Sequence, residues 1–186
     1  MTVDSNSKSN KGTDSKPNNI TESSEKGYLT FWLGKEYYGV DILTVQEIIT
    51  YSQVTSIANM PTYIKGVMNL RGTVIPIVDM RIKFNLTEIT YHEMTVVIIL
   101  NIGERIVGIV VDSVADVVSL DSIDVQPSPD FAAALDAKFI QGLASQNELM
   151  LILINIEKLM NSQDMALFSQ IETDLNSGEL EGHPHE

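Results

Sequence analysis

The side chains that could carry out chemistry are few and widely spaced. The chain has only three histidines. His183 and His185, with Glu186, form a short chelating cluster near the end of the sequence, and His92 lies beside Glu93 in a polar loop. A cluster without supporting residues binds metal weakly, and a general base needs a positioned partner. We therefore predict neither a metal centre nor a catalytic base from these residues.

The carboxylates and glycines of the second half do not form a known reactive motif either. The acidic set lacks the glycine and the closing glutamate of a calcium loop, so solvated turn and cap positions explain it better. Gly103 and Gly108 do not open a helix, and we interpret them as a hairpin turn and a packed strand glycine. Nucleophile-elbow, zinc-helix and phosphate-loop motifs are missing from the sequence. We predict a non-enzyme without a cofactor. The acidic residues in question are Asp112, Asp116, Asp121 and Asp124.

Composition narrows the classes of partner. The net charge of -13 opposes binding to nucleic acid or to anionic membranes, because both require lysine and arginine to displace counterions. The absence of cysteine fits a reducing compartment. No segment resembles a signal peptide or a membrane span, so we expect a cytoplasmic protein without direct membrane insertion.

Short apolar runs rich in valine and isoleucine predict an all-β fold with short helices. Polar sequence predicts flexible tails at residues 1–26 and 171–186 around a folded part at 27–170. Strands are predicted at 28–33, 66–70, 73–78, 95–100, 106–111, 114–120 and 149–154, with a hairpin after Gly34. The run Val96 to Leu100 is apolar on both faces, which predicts strands buried between two packed layers. Asp41 to Thr50 is predicted as a helix, because Val45, Ile48 and Ile49 recur at helical spacing.

One basic residue stands out between two apolar strands. Arg71 with Gly72 has to turn the chain while the guanidinium points outward. The surrounding sequence, from Ala58 to Arg81, contains a Pro-x-Tyr-Ile-x-Gly-Val-x-Asn-Leu-Arg-Gly run and then Pro-Ile-Val-Asp. This stretch resembles the signature of the CheW family, and the resemblance extends over about residues 28–167.

The resemblance implies a fold and a function beyond what composition indicates. The fold would be two five-stranded SH3-like β-barrels around a shared hydrophobic core, with the chain passing between them near residues 87–93. The function would be that of a non-catalytic chemotaxis adaptor, which binds the regulatory domain of the histidine kinase CheA and the cytoplasmic tip of methyl-accepting chemoreceptors. Its location would be the inner face of the membrane, through receptor arrays. An adaptor of a pilus or other non-flagellar chemosensory pathway stays open, as does a small-molecule binding module.

The resemblance also implies which residues couple receptor and kinase. Glu47 matches an acidic family position on the predicted helix, and we expect it to pair with Arg71 at the surface. The positions carried over are Val45, Glu47, Gly66, Asn69, Arg71 and Gly72.

Overall fold

The computed structural model describes residues 25–52, 54–127 and 137–177, the side chains of residues 137 and 175–177 excepted. Residues 1–24 of the predicted N-terminal tail and the cluster at His183 and His185 lie outside these ranges. The strands, in chain order, are β1 (Lys26–Leu33), β2 (Glu36–Asp41), β3 (Val45–Thr50), β4 (Ile64–Leu70), β5 (Thr73–Asp79), β6 (Val96–Ile102), β7 (Arg105–Val111), β8 (Ser113–Leu120), β9 (Ile140–Gln146) and β10 (Leu149–Ile154). The α-helices are α1 (Met80–Lys83), α2 (Ile156–Leu159) and α3 (Ser162–Ser177), and 3₁₀ turns cover Ile42–Thr44 and Ala137–Phe139.

The strands form two five-stranded sheets, which confirms the mostly β prediction. Sheet A has the order β8-β1-β2-β10-β9, and sheet B has the order β3-β6-β7-β5-β4. Most neighbouring strands are antiparallel, but β2 pairs with β10 and β5 pairs with β7 in parallel. The chain leaves sheet A after β2, forms all of sheet B, and returns to sheet A at β8.

The predicted crossing near residues 87–93 is therefore wrong, since this stretch lies between α1 and β6 and connects two parts of sheet B. The physical reason is that the chain consists of two structurally equivalent halves, from β1 to α1 and from β6 to α2, which exchange strands. We call each half a copy of one repeat. In each copy a hairpin is placed at the centre of one sheet, while the next three strands join the other sheet. The register agrees in both sheets: Val45 lies opposite Leu100, and Val114 lies opposite Phe31. Residues 84–95 link the first copy, which ends with α1, to the second copy, which begins with β6.

Central strands are buried on both faces, as the sequence predicts. In β6, Val97 and Ile99 belong to a cluster inside sheet B, whereas Ile98 and Leu100 belong to a larger core shared by both sheets. All four side chains are 0% exposed. Because apolar burial is the main driving force of folding, this shared core makes the two sheets one structural unit.

Two predictions about local structure are corrected. Only Ile42–Thr44 is helical in the predicted helix after Asp41, and the next six residues form β3. Antiparallel pairing with β6, interrupted by a register shift at Gln46, satisfies the backbone of this segment and outweighs the helical spacing of its apolar side chains. At the other end, α3 extends beyond the predicted boundary at Gln170, and Ile171 is 1% exposed in the shared core. The predicted C-terminal tail thus begins too early.

The ends of the described ranges supply two smaller observations. β1 begins at Lys26, the last residue of the predicted N-terminal tail. Among the described helices, none combines the length and the apolar character needed to cross a bilayer.

Candidate functional site

The turn between β4 and β5 presents Arg71 at the surface. Its central residues, Arg71 and Gly72, have φ angles of 51° and 90°. Positive φ at both central positions suits a two-residue hairpin turn, because its twist matches that of the flanking strands. Glycine adopts this region freely, whereas the arginine Cβ is crowded there. Asn69 closes the turn, since its Oδ1 accepts a hydrogen bond from the Gly72 N–H at 2.8 Å. Asn69 and Gly72 therefore shape the turn from which Arg71 projects.

Arg71 forms a forked ion pair with Glu47 of β3. The two terminal nitrogens of Arg71 donate to Oε1 and Oε2 of Glu47, each at 2.8 Å. The hydrogen bonds to Glu47, and then its negative charge, raise the pKa of Arg71 above its ordinary value. The Arg71 side chain is 73% exposed, so water and salt screen the attraction, and its main effect is to orient the guanidinium. The predicted pairing is confirmed, although Glu47 lies on a strand instead of a helix.

Gly66 permits the contact that brings the two outer strands of sheet B together. Thr55, which follows β3, exchanges two backbone hydrogen bonds with Val67 of β4, both at 2.9 Å. A Cβ on Gly66 would lie 1.9 Å from the Thr55 carbonyl oxygen, and the φ of Gly66 is 134°. Any other residue would push the two segments apart. Because β3 carries Glu47 and β4 leads to Arg71, Gly66 supports the geometry of the ion pair.

Val45 lies at the start of β3 and has a supporting position. It is paired with Leu100 of β6, and its partly buried side chain packs against the shared core. The structure thus brings Glu47, Asn69, Arg71 and Gly72 together, while Val45 and Gly66 hold the strands that carry them.

The second copy of the repeat has the same turn without the arginine. Between β9 and β10, Asn147 and Glu148 have φ angles of 50° and 66°, close to the angle of 51° at Arg71. Asp116 of β8 occupies the position equivalent to Glu47 of β3. Its side chain accepts a hydrogen bond from the Val117 N–H at 2.7 Å. The backbone of this turn type therefore forms without an arginine–glutamate pair. The guanidinium is a feature of the sheet B surface and not a requirement of the fold.

A second charged cluster, which the sequence analysis missed, is buried. Arg81 and Asp79 are both 0% exposed and are joined by two side-chain hydrogen bonds, of 3.0 Å from Nε and 2.7 Å from a terminal nitrogen. The other terminal nitrogen of Arg81 donates to Asp112 at 3.0 Å and to the Thr90 carbonyl at 2.8 Å. The Tyr91 ring lies 4.5 Å from the guanidinium carbon, and its hydroxyl donates to Asp79 at 2.7 Å. The cluster fixes the link between the two repeats onto sheet B.

The cluster also changes the interpretation of Asp112. Its second oxygen accepts a hydrogen bond from the Gly34 N–H at 2.6 Å, so it joins the β1–β2 turn to Arg81. The prediction of a merely solvated Asp112 is therefore wrong. Burial acts to raise the pKa of Asp79, but the hydrogen bonds from Arg81 and Tyr91 and the charge of Arg81 outweigh burial, and the pKa is lowered. The available sequence signal was an Asp-x-Arg pair that begins at the last residue of the buried strand β5.

The described residues offer little for metal or acid–base chemistry. In residues 25–52, 54–127 and 137–177, no group of three or more histidine, aspartate or glutamate side chains is placed to hold a metal ion. His92 is exposed, and its Nδ1 accepts a hydrogen bond from the Met94 N–H at 3.2 Å within its own loop. The arrangement is that of a surface with a fixed, exposed guanidinium on a rigid β support.

Comparison with known proteins gives consistent matches over the described core. Residues 27–164 match the family model described as CheW-like domain. The chain is 54% identical to the chemotaxis protein CheW of Klebsiella aerogenes, over 77% of this chain and 87% of that protein. It is 35% identical to CheW of Treponema pallidum, over 74% and 83% of the two chains. The crystal structure of the scaffolding protein TtCheW from Thermoanaerobacter tengcongensis superposes with a TM-score of 0.69 at 30% identity, over 75% of this chain and 94% of that one.

Proposed function

The chain belongs to the CheW family of chemotaxis scaffold proteins, and from that premise we propose that it couples the histidine kinase CheA to the cytoplasmic tips of methyl-accepting chemoreceptors. In this function it binds the regulatory domain of the kinase and the helical tip of the receptor, without turnover and without a cofactor. It works in the cytoplasm, at the inner face of the membrane, where the receptors assemble into arrays.

The observation that carries the proposal is the ion pair of Glu47 with Arg71. The Arg71 side chain is 73% exposed, so the pair adds little to folding, and the second repeat builds the same turn without it. The turn has positive φ in both repeats, so Arg71 is distinguished by its guanidinium and not by its backbone. A guanidinium held by both of its terminal nitrogens keeps its remaining N–H groups and its flat faces available to a partner.

The rigid support suits an adaptor. β3 and β5 flank β6 and β7, in which residues 97–100 and 109–111 are 0% exposed, so the surface at Arg71 does not have to reorganise when a partner binds. Preorganised surfaces lose less entropy on association. We propose that Val45 and Gly66 act in coupling through this support, and that Glu47 and Arg71 act at the contact itself.

The test uses a variant that removes the guanidinium and keeps the turn. Arg71→Asn introduces the residue type that the second repeat has at this position, and asparagine tolerates positive φ better than arginine does. Receptor-tip fragments, CheA and the full chain are mixed, and co-sedimentation and receptor-stimulated kinase activity are measured. Glu47→Gln removes the carboxylate's charge, and Lys35→Gln is the control for loss of an exposed charge elsewhere.

The proposal makes a separate demand on each variant. The wild type and Lys35→Gln should form the ternary complex and activate the kinase. Arg71→Asn should melt within about 2 °C of the wild type, because surface changes have small effects on stability, yet lose most of its kinase activation. Glu47→Gln should lie between these two results. If Arg71→Asn supports full activation, Arg71 has no part in coupling, and if the wild type forms no ternary complex, the adaptor function is wrong.

A further inference from the structure

A half-open cavity of about 570 Å³ lies where the two repeats meet. Its lining comes from equivalent positions of the two copies. Tyr63 and Phe139 precede the same isoleucine–x–glycine run in β4 and β9, and Asn85 and Asn161 follow the short helices α1 and α2. The cavity is therefore a regular feature of the strand exchange, located between α1 and α2.

The polar part of the cavity is cationic. Lys83, Lys138 and Lys158 line it, and among the described lining residues there is no aspartate or glutamate, in a chain whose net charge is -13. Lys83 is engaged, since its Nζ donates to Asp164 at 2.7 Å. For Lys138 and Lys158 the described part of the chain supplies no ion-pair partner and no side-chain hydrogen bond. Both lysines are exposed and border the same half-open volume.

The rest of the lining is aromatic. Phe84 and Phe139 stack with ring centroids 5.3 Å apart, and the Tyr63 ring lies 4.3 Å below the ammonium of Lys83. The low polarity of these rings strengthens the field of the lysines inside the cavity. Lysine is a flexible point charge that imposes no fixed pairing geometry, so the lining suits carboxylates whose positions vary. The aromatic wall offers contact area to an apolar side chain between two such carboxylates.

The cavity is separate from the surface at Arg71. The Arg71 turn precedes β5, and α1 with Lys83 follows it. Seven strand residues at about 3.3 Å each place the two ends of β5 roughly 20 Å apart. At physiological ionic strength charges separated by more than about 8 Å are largely screened, so a ligand in the cavity does not sense the ion pair at Arg71.

We propose that this cavity is a docking site for an acidic peptide segment of a partner protein, in which carboxylates alternate with apolar side chains. The carboxylates pair with Lys138 and Lys158, and the apolar side chain lies on Phe84 and Phe139. The site adds a third contact surface to the adaptor, and its occupation does not require that Arg71 contacts receptor or kinase.

The C-terminal sequence of this chain, Glu179-Leu-Glu181, has the required pattern but cannot reach its own cavity. Asn161 lines the cavity and directly precedes α3, whose 16 residues place Ser177 about 24 Å away along the helix axis. The four residues from Ser177 to Glu181 span at most about 14 Å. The Glu179-Leu-Glu181 segment is therefore not the occupant, and the proposed occupant is a segment of a partner protein.

The test measures binding of a labelled peptide of alternating glutamate and leucine to the full chain, by fluorescence anisotropy and by amide chemical shifts. The same peptide with glutamine in place of glutamate is the ligand control. The double variant Lys138→Gln/Lys158→Gln removes the free cations, and Lys35→Gln/Lys65→Gln removes the same charge outside the cavity. Thermal unfolding verifies that all variants are folded.

The glutamate peptide should bind and shift the amides around Phe139 and Lys158, and the glutamine peptide should bind about tenfold more weakly. The cavity double variant should lose about tenfold in affinity, while the outside variant stays within about twofold of the wild type. Equal losses in both double variants would identify unspecific attraction and overturn the proposal. Displacement of the peptide by inorganic phosphate at equal concentration would also overturn it, because the cavity would then be a small-anion site.

Discussion

Replacing Arg81 with methionine tests whether the buried cluster depends on charge pairing. The methionine keeps most of the side-chain volume, but it leaves the Asp79 carboxylate at 0% exposure with fewer donors. The Tyr91 hydroxyl and the backbone N–H of residue 81 would still donate to it. Breaking a buried pair by removal of one partner costs about 3–5 kcal/mol. At about 2–4 °C per kcal/mol for a chain of this size, we expect the melting temperature to fall by roughly 6–20 °C.

The pH dependence of Arg81→Met provides a sharper criterion. In the wild type the pKa of Asp79 is lowered, so its stabilising contribution is present above about pH 4, the unfolded pKa, and is lost as pH falls through the folded value. Without Arg81, burial dominates and raises the folded pKa of Asp79 above its unfolded value. The folded variant then binds more protons than the unfolded one, and its free energy of unfolding rises as pH falls. The difference between variant and wild type should therefore shrink from pH 8 to pH 5.

Urea denaturation of both proteins at pH 5, 6, 7 and 8 measures this difference. The double variant Asp79→Asn/Arg81→Met removes both charges and keeps an oxygen for the α1 cap, so it should be more stable at pH 8 than Arg81→Met. Arg105→Met is a control, because its ion pair with Glu172 is partly exposed and should contribute about 0–1 kcal/mol. A loss below about 1 kcal/mol at pH 8 for Arg81→Met, or a loss that does not change with pH, would refute the argument.

Three further predictions concern the strands and α3. Gly66→Ala should destabilise the fold by more than about 3 kcal/mol in urea denaturation, since its Cβ would meet a backbone oxygen, whereas Gly72→Ala should cost only about 1–2 kcal/mol because nothing lies within 4 Å of its Cβ. Asp164→Asn should lower the hydrogen-exchange protection of α3, because it weakens the contacts to Tyr63 and to a lysine ammonium, while Glu172→Gln should leave that protection nearly unchanged. Burial, and then the hydrogen bond to Asp164, raise the pKa of Tyr63 to about 12. The stabilising contribution of Tyr63 is therefore lost as pH rises from about 10, the unfolded pKa, to about 12. Absorbance titration of the wild type against Tyr63→Phe measures this pKa.

The sequence was sufficient for most strands and for the ion pair, but not for the arrangement of the sheets. β5, β7 and β10 follow directly from apolar runs, because strands buried on both faces have a pattern that few other elements share. β3 was misassigned because Val45, Ile48 and Ile49 fit a helical stripe, although Ile48 is 42% exposed and the strand alternates along its length. Pairing with β6 decides between helix and strand for this segment, and the paired residues of β6 are about fifty positions away in the sequence.

The strand exchange is non-local, and no local pattern reports it. Gly39 and Gly108 occupy equivalent positions in β2 and β7, and each lies against the apolar side chains of a parallel neighbour from the other repeat. Most other side chains differ between the two copies, so the repeat is seen mainly in the strand order and the hydrogen-bond register. The buried pair of Asp79 and Arg81 was missed for the same reason, since its burial depends on Tyr91 and on the link between the copies.

The repeat separates what the fold requires of the Arg71 turn from what is particular to this turn. Both copies need a two-residue turn with positive φ, and the second copy meets this need with Asn147 and Glu148. Both copies also need a glycine where the outer strands meet, because a Cβ on Gly142 would lie 2.7 Å from a carbonyl oxygen, as one on Gly66 would lie 1.9 Å from another. The paired guanidinium has no counterpart at Asn147. Sheet packing accounts for everything the copies share, but it does not account for the Arg71 guanidinium.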